Sequence, residues 1–215
     1  MQVLSSASNF IYWYGRPVIG GIVITGILLY LLIKKRFPST RILSISFFTF
    51  IGLIIIRSIF LSFAHWYLWA HNEFTKTFLT PNLGYYFQKI WYYCWMEPLI
   101  NLGFAILAII FVYRLNKFYA NNFFYDEEKW LVGLAILSNG WPLSLLAICF
   151  SIAVGLLLHV GRLVVFSIKK LYQPGYRLSF LYIWMPIALL VLAFGVIMII
   201  FKINWFYIPI KDFIV

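Results

Sequence analysis

The chain has 215 residues, of which 64% are hydrophobic, 21% aromatic and 11% charged. A soluble domain normally carries roughly a quarter of its residues as charge, so too little polar surface exists to face water and lipid must cover much of the molecule. The net charge of +11, from 17 Lys and Arg against 6 Asp and Glu, sits in short clusters beside apolar runs. That placement favours positive-inside flanks and anionic lipid headgroups over a nucleic-acid partner.

Residues 1–9 are polar without a cationic start, so no cleaved signal peptide is expected. The first predicted span covers residues 16–33 and is closed at once by Lys34, Lys35 and Arg36. An apolar run of about 20 residues ended by cations reads as a membrane helix with its cytoplasmic flank. Gly20, Gly21 and Gly26 within it would permit close helix approach. A basic connector, 34–41, contains Pro38, and the second span covers 42–64 with Arg57 inside it.

Between 65 and 93 the character changes to rings, among them His65, Trp66, Tyr67, Trp69, His71, Tyr85, Tyr86, Trp91 and Tyr92, with Pro81 and Gly84 between them. Such side chains gather at the membrane–water boundary, which predicts an outer loop with short surface helices. The third span covers 95–113 and ends in Arg114 and Lys117. After the acidic run Asp126-Glu127-Glu128 comes a long apolar stretch, 130–166, broken at Asn139-Gly140-Trp141-Pro142. Lys169, Lys170 and Arg177 form another basic connector, and the last span covers 180–201.

The fold class read from this pattern is all-α. It is a polytopic integral membrane bundle in one domain, 1–215, with four full spans plus a broken hairpin or re-entrant pair near 130–166. The basic connectors put the N-terminus outside. All of them reach the cytoplasm only if 130–166 leaves and returns as a bent pair. A single crossing there would violate the rule at one connector. A broken helix survives in a membrane only where protein covers its exposed backbone or water lines it.

Arg57 is the residue with most to say about chemistry. A cation inside a span costs roughly 2.5–3.5 kcal/mol on insertion scales and needs a partner. Counting at ~1.5 Å per residue, it lies about 10 Å below the outer end of its span and Glu97 about 5 Å below the start of the next. An Arg57–Glu97 pair is therefore expected. Its role is either to lock two helices or to leave the guanidinium for an anionic lipid headgroup, which suits bidentate phosphate binding. Asp126, Glu127 and Glu128 could include an acid–base group, or simply favour a helix N-terminus. His159 and Arg162 share a helix face. Cys94 and Cys149 read as buried packing residues, His65 and His71 have no metal-like spacing, and neither a metal nor a cofactor is expected. No phosphate loop, nucleophile elbow or zinc-protease motif occurs.

The opening FIYWYGRPVIGGIVITGILLYLLIKKR resembles the start of the prolipoprotein diacylglyceryl transferases, with Tyr14 and Gly15 at the tyrosine–glycine pair before the first span. FIGLIIIRSIFLSF resembles that family's second span and puts Arg57 at its arginine. TPNLGYYFQKIW and a helix ending YRLNK follow in similar order, so the resemblance covers about the first 120 residues. It implies a bacterial plasma-membrane protein that binds an anionic phospholipid and transfers diacylglyceryl to a lipobox cysteine. Arg57, Tyr14, Gly15 and Glu97 would then be the binding residues. Tyr92-Tyr93-Cys94 stands where that family has His-Gly, and the Arg-x-Gly-Asn signature is absent, so a catalytically degenerate relative is included in this reading. The stretch from Phe123 to Leu158 is also similar to prepilin peptidases around their second aspartate, with Asp126 at the aspartate and Gly140-Trp141 at a later Gly-Trp. No Asp precedes Asp126, which leaves an aspartic protease without its partner carboxylate. The alternative from another class is a non-enzymatic membrane subunit or scaffold with a protein partner in the membrane.

Overall fold

A computed structural model of the chain describes residues 2–35, 38–72, 76, 83–118, 124–169 and 181–201. Every regular element among them is helical: α1 (Gln2–Lys34), α2 (Thr40–His71), α3 (Leu83–Ile90), a π-helical segment (Trp91–Met96), α4 (Glu97–Phe118), α5 (Glu128–Asn139), α6 (Leu143–Lys169) and α7 (Leu181–Ile200). Five stretches are long and apolar enough to cross a membrane: Ser5–Lys34, Thr40–His71, Leu83–Phe118, Leu143–Arg162 and Tyr182–Ile200. The protein is therefore a multi-pass membrane protein. Pro81, Lys170 and Arg177 lie outside the described residues.

The expected loop over 65–93 is corrected at both of its ends. α2 continues seven residues past 64 to His71, and α3 runs through the π-helical segment into α4 as one apolar helical stretch. Rings that suit the membrane boundary are also compatible with helix, and Gly84 lies within α3. The π segment has a local cause. Pro98 has no N–H to give the Cys94 carbonyl, so the regular i→i−4 ladder is already broken where the wider turn occurs.

The helices have a common polarity. Phe47 near the start of α2 packs on Trp130 of α5 with ring centroids 5.6 Å apart, and Lys129 lies over the Tyr113 ring near the end of α4 at 5.6 Å. These contacts bring α2's start, α4's end and α5's start together beside Lys34, Arg114 and Lys117, here called the basic end. α1 begins, α2 finishes and α3 begins at the far end.

α5 organises the interior. It packs against α1, α2, α4, α6 and α7, and every residue from Leu131 to Gly140 is buried. Twelve residues rise only about 18 Å, so a helix starting at the basic end stops inside the bundle. Its stop is built from sequence. Gly140 adopts φ 68° and ψ 170°, a positive-φ conformation that essentially glycine alone reaches and that turns the chain out of the helix, and its N–H bonds the Ile136 carbonyl at 3.0 Å. Pro142 then prevents continuation. The core runs alongside, through Ile24, Leu43, Phe47, Phe50, Leu134, Ile136, Met185 and Ala188.

Two glycines set the spacing around α5. A Cβ at Gly133 would meet Phe47 and Ile109 at 2.8 Å, and one at Gly20 would meet Ser138 Cβ at 2.9 Å and its backbone at 3.0 Å. At Gly26 nothing lies within 4 Å. We expect Gly20→Ala to cost about 1–3 kcal/mol through overpacking, seen as a fall of about 2–10 °C in the thermal midpoint of the detergent-solubilised protein. Gly26→Ala should leave the midpoint unchanged or raise it slightly, because alanine is the better helix former.

Candidate functional site

The C-terminal end of α5 leaves carbonyl groups without helical partners in an apolar interior, where the negative end of the helix dipole also lies. α1 brings a cation to it. Arg16 is 8% exposed, and its guanidinium occupies the space where a Cβ on Gly140 would sit. Any side chain at 140 would thus displace Arg16 as well as strain the backbone. Arg16 in turn forms an ion pair with Glu97 at the start of α4. The predicted pairing of Glu97 with Arg57 is corrected to this extent: the ion pair of Glu97 is with Arg16. Arg16 had been placed at the boundary of the first span, whereas α1 extends fourteen residues further toward the chain start. That extension puts Arg16 well inside the helix.

Arg57 is also buried, at 8% exposure. Its Nε donates to the Ile11 carbonyl at 3.1 Å and its Nη2 to the Tyr12 carbonyl at 2.6 Å. Pro17, inside α1, withholds the N–H that would bond the Trp13 carbonyl, so this is the turn of α1 least committed to its own ladder. Gly15 allows the approach, since a Cβ there would lie 3.3 Å from Arg57 Nε. Tyr14 is half-buried and stacks on Phe10 with centroids 5.3 Å apart. Arg57 and Gly15 are therefore brought together as predicted site neighbours, and Glu97 joins Arg16.

Two residues along α2 from Arg57 a groove begins. It has a volume of about 830 Å³ and is lined by Ile59, Ser62, Phe63 and Trp66 of α2 against Tyr86, Phe87, Trp91 and Trp95 among others. Its polar floor is knitted together. The Trp95 indole N–H donates to Ser62 Oγ at 3.1 Å, the Ser62 hydroxyl to the Ser58 carbonyl at 2.8 Å, and the Tyr86 hydroxyl to the Ser62 carbonyl at 3.4 Å. Sequence reading missed Ser62 and Arg16. The available signals were Ser58 and Ser62 one turn apart inside an apolar run, and a proline directly after Arg16.

The remaining candidates lie elsewhere. Asp126 is exposed, Glu127 half-buried and Glu128 buried, at the basic end. Glu128 opens α5 and accepts the Tyr125 N–H at 3.5 Å, the bland role expected of a carboxylate at a helix start. Cys94 is buried, but Cys149 is exposed on α6, which corrects its reading as a buried residue. An apolar face turned toward lipid accepts cysteine as readily as a core does. His71 Nδ1 lies 2.9 Å from the Tyr67 carbonyl one turn back. Among the described residues no three His, Cys, Asp or Glu side chains gather as a metal site. Comparison with protein-family models, curated proteins and solved structures finds no match to this chain.

Glu97→Gln keeps the shape of the ion pair but leaves Arg16 without that counter-charge. Breaking a fully buried pair costs about 3–5 kcal/mol. Glu97 retains 35% side-chain exposure, so we expect about 1–3 kcal/mol once solvent screening is allowed for. The measurement is the thermal midpoint in detergent. Glu97→Asp should fall between the wild type and Glu97→Gln.

Proposed function

We propose that this chain is a plasma-membrane protein that binds an anionic phospholipid in the groove at its far end, without requiring turnover. The observation that carries the reading is an aromatic groove that begins two residues along α2 from the buried guanidinium of Arg57. Glu97 pairs with Arg16, while the carboxylates of Asp126, Glu127 and Glu128 lie at the basic end. Buried charges in low dielectric act more strongly than exposed ones, so the far end should favour a negative headgroup. A volume of about 830 Å³ falls within the ~300–1,000 Å³ of ligand-sized clefts, enough for part of a lipid. Both N–H contacts described for Arg57 go to α1 carbonyls. The phosphate is therefore attracted by the field of the guanidinium rather than chelated by it. Diacylglyceryl transfer goes further than this arrangement supports, since among the described residues no carboxylate or histidine lines the groove.

The scaffold reading draws on the same Arg57 contacts, which join α2 to α1 whether or not lipid binds. Native mass spectrometry of the protein purified from membranes separates the two. Ile59→Trp narrows the groove at a position that is 54% exposed and cuts no hydrogen bond. It should lower the bound phosphatidylglycerol about tenfold, equivalent to ~1.4 kcal/mol, with the thermal midpoint of delipidated protein unchanged. Unchanged lipid content would favour the scaffold.

The proposed topology places the N-terminus outside and makes α5 and α6 a re-entrant pair. A Cβ at Gly21 of α1 would lie 3.7 Å from Leu192 Cδ2, and one at Gly195 would meet Leu143 at the start of α6. From 192 to 195, α7 therefore moves away from the basic end, because Gly140, next to Leu143, meets Arg16 rather than Gly21. A helix that runs outward must begin at the basic end, so α6 has to bring the chain back there. In a cysteine-free background, a membrane-impermeant maleimide applied outside intact cells should label Gln2→Cys and spare Lys35→Cys and Lys169→Cys. Labelling at 169 would mean that α6 crosses.

A further inference from the structure

The break between α5 and α6 gathers polar side chains that have no protein partner for at least one atom. Asn101 of α4 is 1% exposed with both its amide nitrogen and oxygen unbonded, and Asn139 is 1% exposed with its Oδ1 unbonded. Ser138 at 0% and Ser144 at 1% exposure have unbonded hydroxyl oxygens. A buried polar atom with no partner loses its hydration and regains nothing, which is why such atoms are few in native proteins. Asn139 and Ser144 flank the break, Asn101 lies on the helix packed against α5, and one ligand could serve all three.

Their positions converge. Glu97, Asn101 and Phe104 fall at i, i+4 and i+7 on one face of α4. That face is fixed at both ends: Glu97 pairs with Arg16, which touches Gly140, and Phe104 stacks on Trp141 with centroids 5.4 Å apart and planes 12° apart. Asn101 lies between these contacts, opposite the break. Ser144 is tied to the same turn, its N–H bonding the Gly140 carbonyl at 2.6 Å. Asn139 folds back to give its Nδ2 to the Ala135 carbonyl at 2.9 Å, which commits its donor and leaves its acceptor.

We propose that this break is a buried hydration site, holding ordered water between Asn101, Asn139 and Ser144 beneath the Arg16–Glu97 pair. The chemistry selects the ligand. Asn101 presents both a donor and an acceptor, and the hydroxyls can do either, so the ligand must accept and donate. A metal cation satisfies no donor, and the Arg16 guanidinium already supplies positive charge at Gly140. Water in a polar interior commonly makes about three hydrogen bonds to such groups.

The test is a density map of the unmutated full-length protein at a resolution that reveals water, together with thermal unfolding of Asn101→Leu, Asn139→Leu and the double variant. Density peaks about 2.7–3.2 Å from the Asn101 amide and Asn139 Oδ1 are expected. Each single substitution should lower the midpoint by several degrees. The double should fall no further than the worse single, because both remove the same water. A site without density overturns the proposal. So does a peak held only by oxygens at about 2.3–2.6 Å, the signature of a cation such as calcium, or two substitutions that raise the midpoint additively. Should a variant fail to fold, the map of the unmutated protein decides alone.

Discussion

Ending a helix inside a membrane protein exposes carbonyl groups where no bulk water can reach them, and this chain meets that problem at Gly140. The guanidinium of Arg16 is the answer, placed by α1 against the end of α5 and held by Glu97. Each part depends on the others. Without the break at Gly140 there would be no dipole end to neutralise, and Arg16 would be a bare charge in an apolar helix. Without Arg16, Glu97 would open α4 with an uncompensated carboxylate. Gly20 adds the last condition, because only a residue without a side chain lets α1 approach Ser138 closely enough to deliver Arg16 one turn away.

The class of the molecule was legible in composition, since charge was too scarce for a soluble surface. The break at 139–142 was legible for a related reason: Gly and Pro inside an apolar stretch have few uses other than stopping a helix. The partner of Glu97 was not. Span boundaries drawn from hydropathy stop at cations, so Arg16 was read as an edge although the helix runs on through polar residues to Gln2. Hydropathy measures transfer to lipid, whereas helix formation is a matter of backbone bonding. The two agree only where no protein neighbour solvates the charge. The same difference explains 65–93, where rings suited to a boundary predict an outer loop with short surface helices but α2 runs on to His71 and Leu83–Ile90 continues into the next apolar helix.

Arg57 follows a second strategy for the same cost. Its Nε and Nη2 donate to two main-chain carbonyls of α1, on the stretch ahead of Pro17. Carbonyl dipoles stabilise a cation without cancelling its charge, so the field of Arg57 persists while its hydrogen bonds are satisfied. A guanidinium paired to a carboxylate would be stable and electrically quiet. One solvated by carbonyls has its donors satisfied while its charge remains.

The two cations therefore divide the work of the far end. Arg16 joins the end of α5 to Glu97 at the start of α4, and Arg57 joins α2 to the main chain of α1. This division also accounts for where the polar residues lie. The Leu131–Leu137 portion of α5 packs against apolar side chains toward the basic end, while Ser138, Asn139, Asn101 and Ser144 collect beyond it. A wholly apolar break would leave the Arg16–Glu97 pair in a medium too poorly polarisable to hold it, because desolvation of two ions outweighs their attraction unless other dipoles contribute. The amides and hydroxyls at the break raise the local polarity just where the pair needs it. Asn139 is held in place there by its own bond to the Ala135 carbonyl, with its Oδ1 turned to the break.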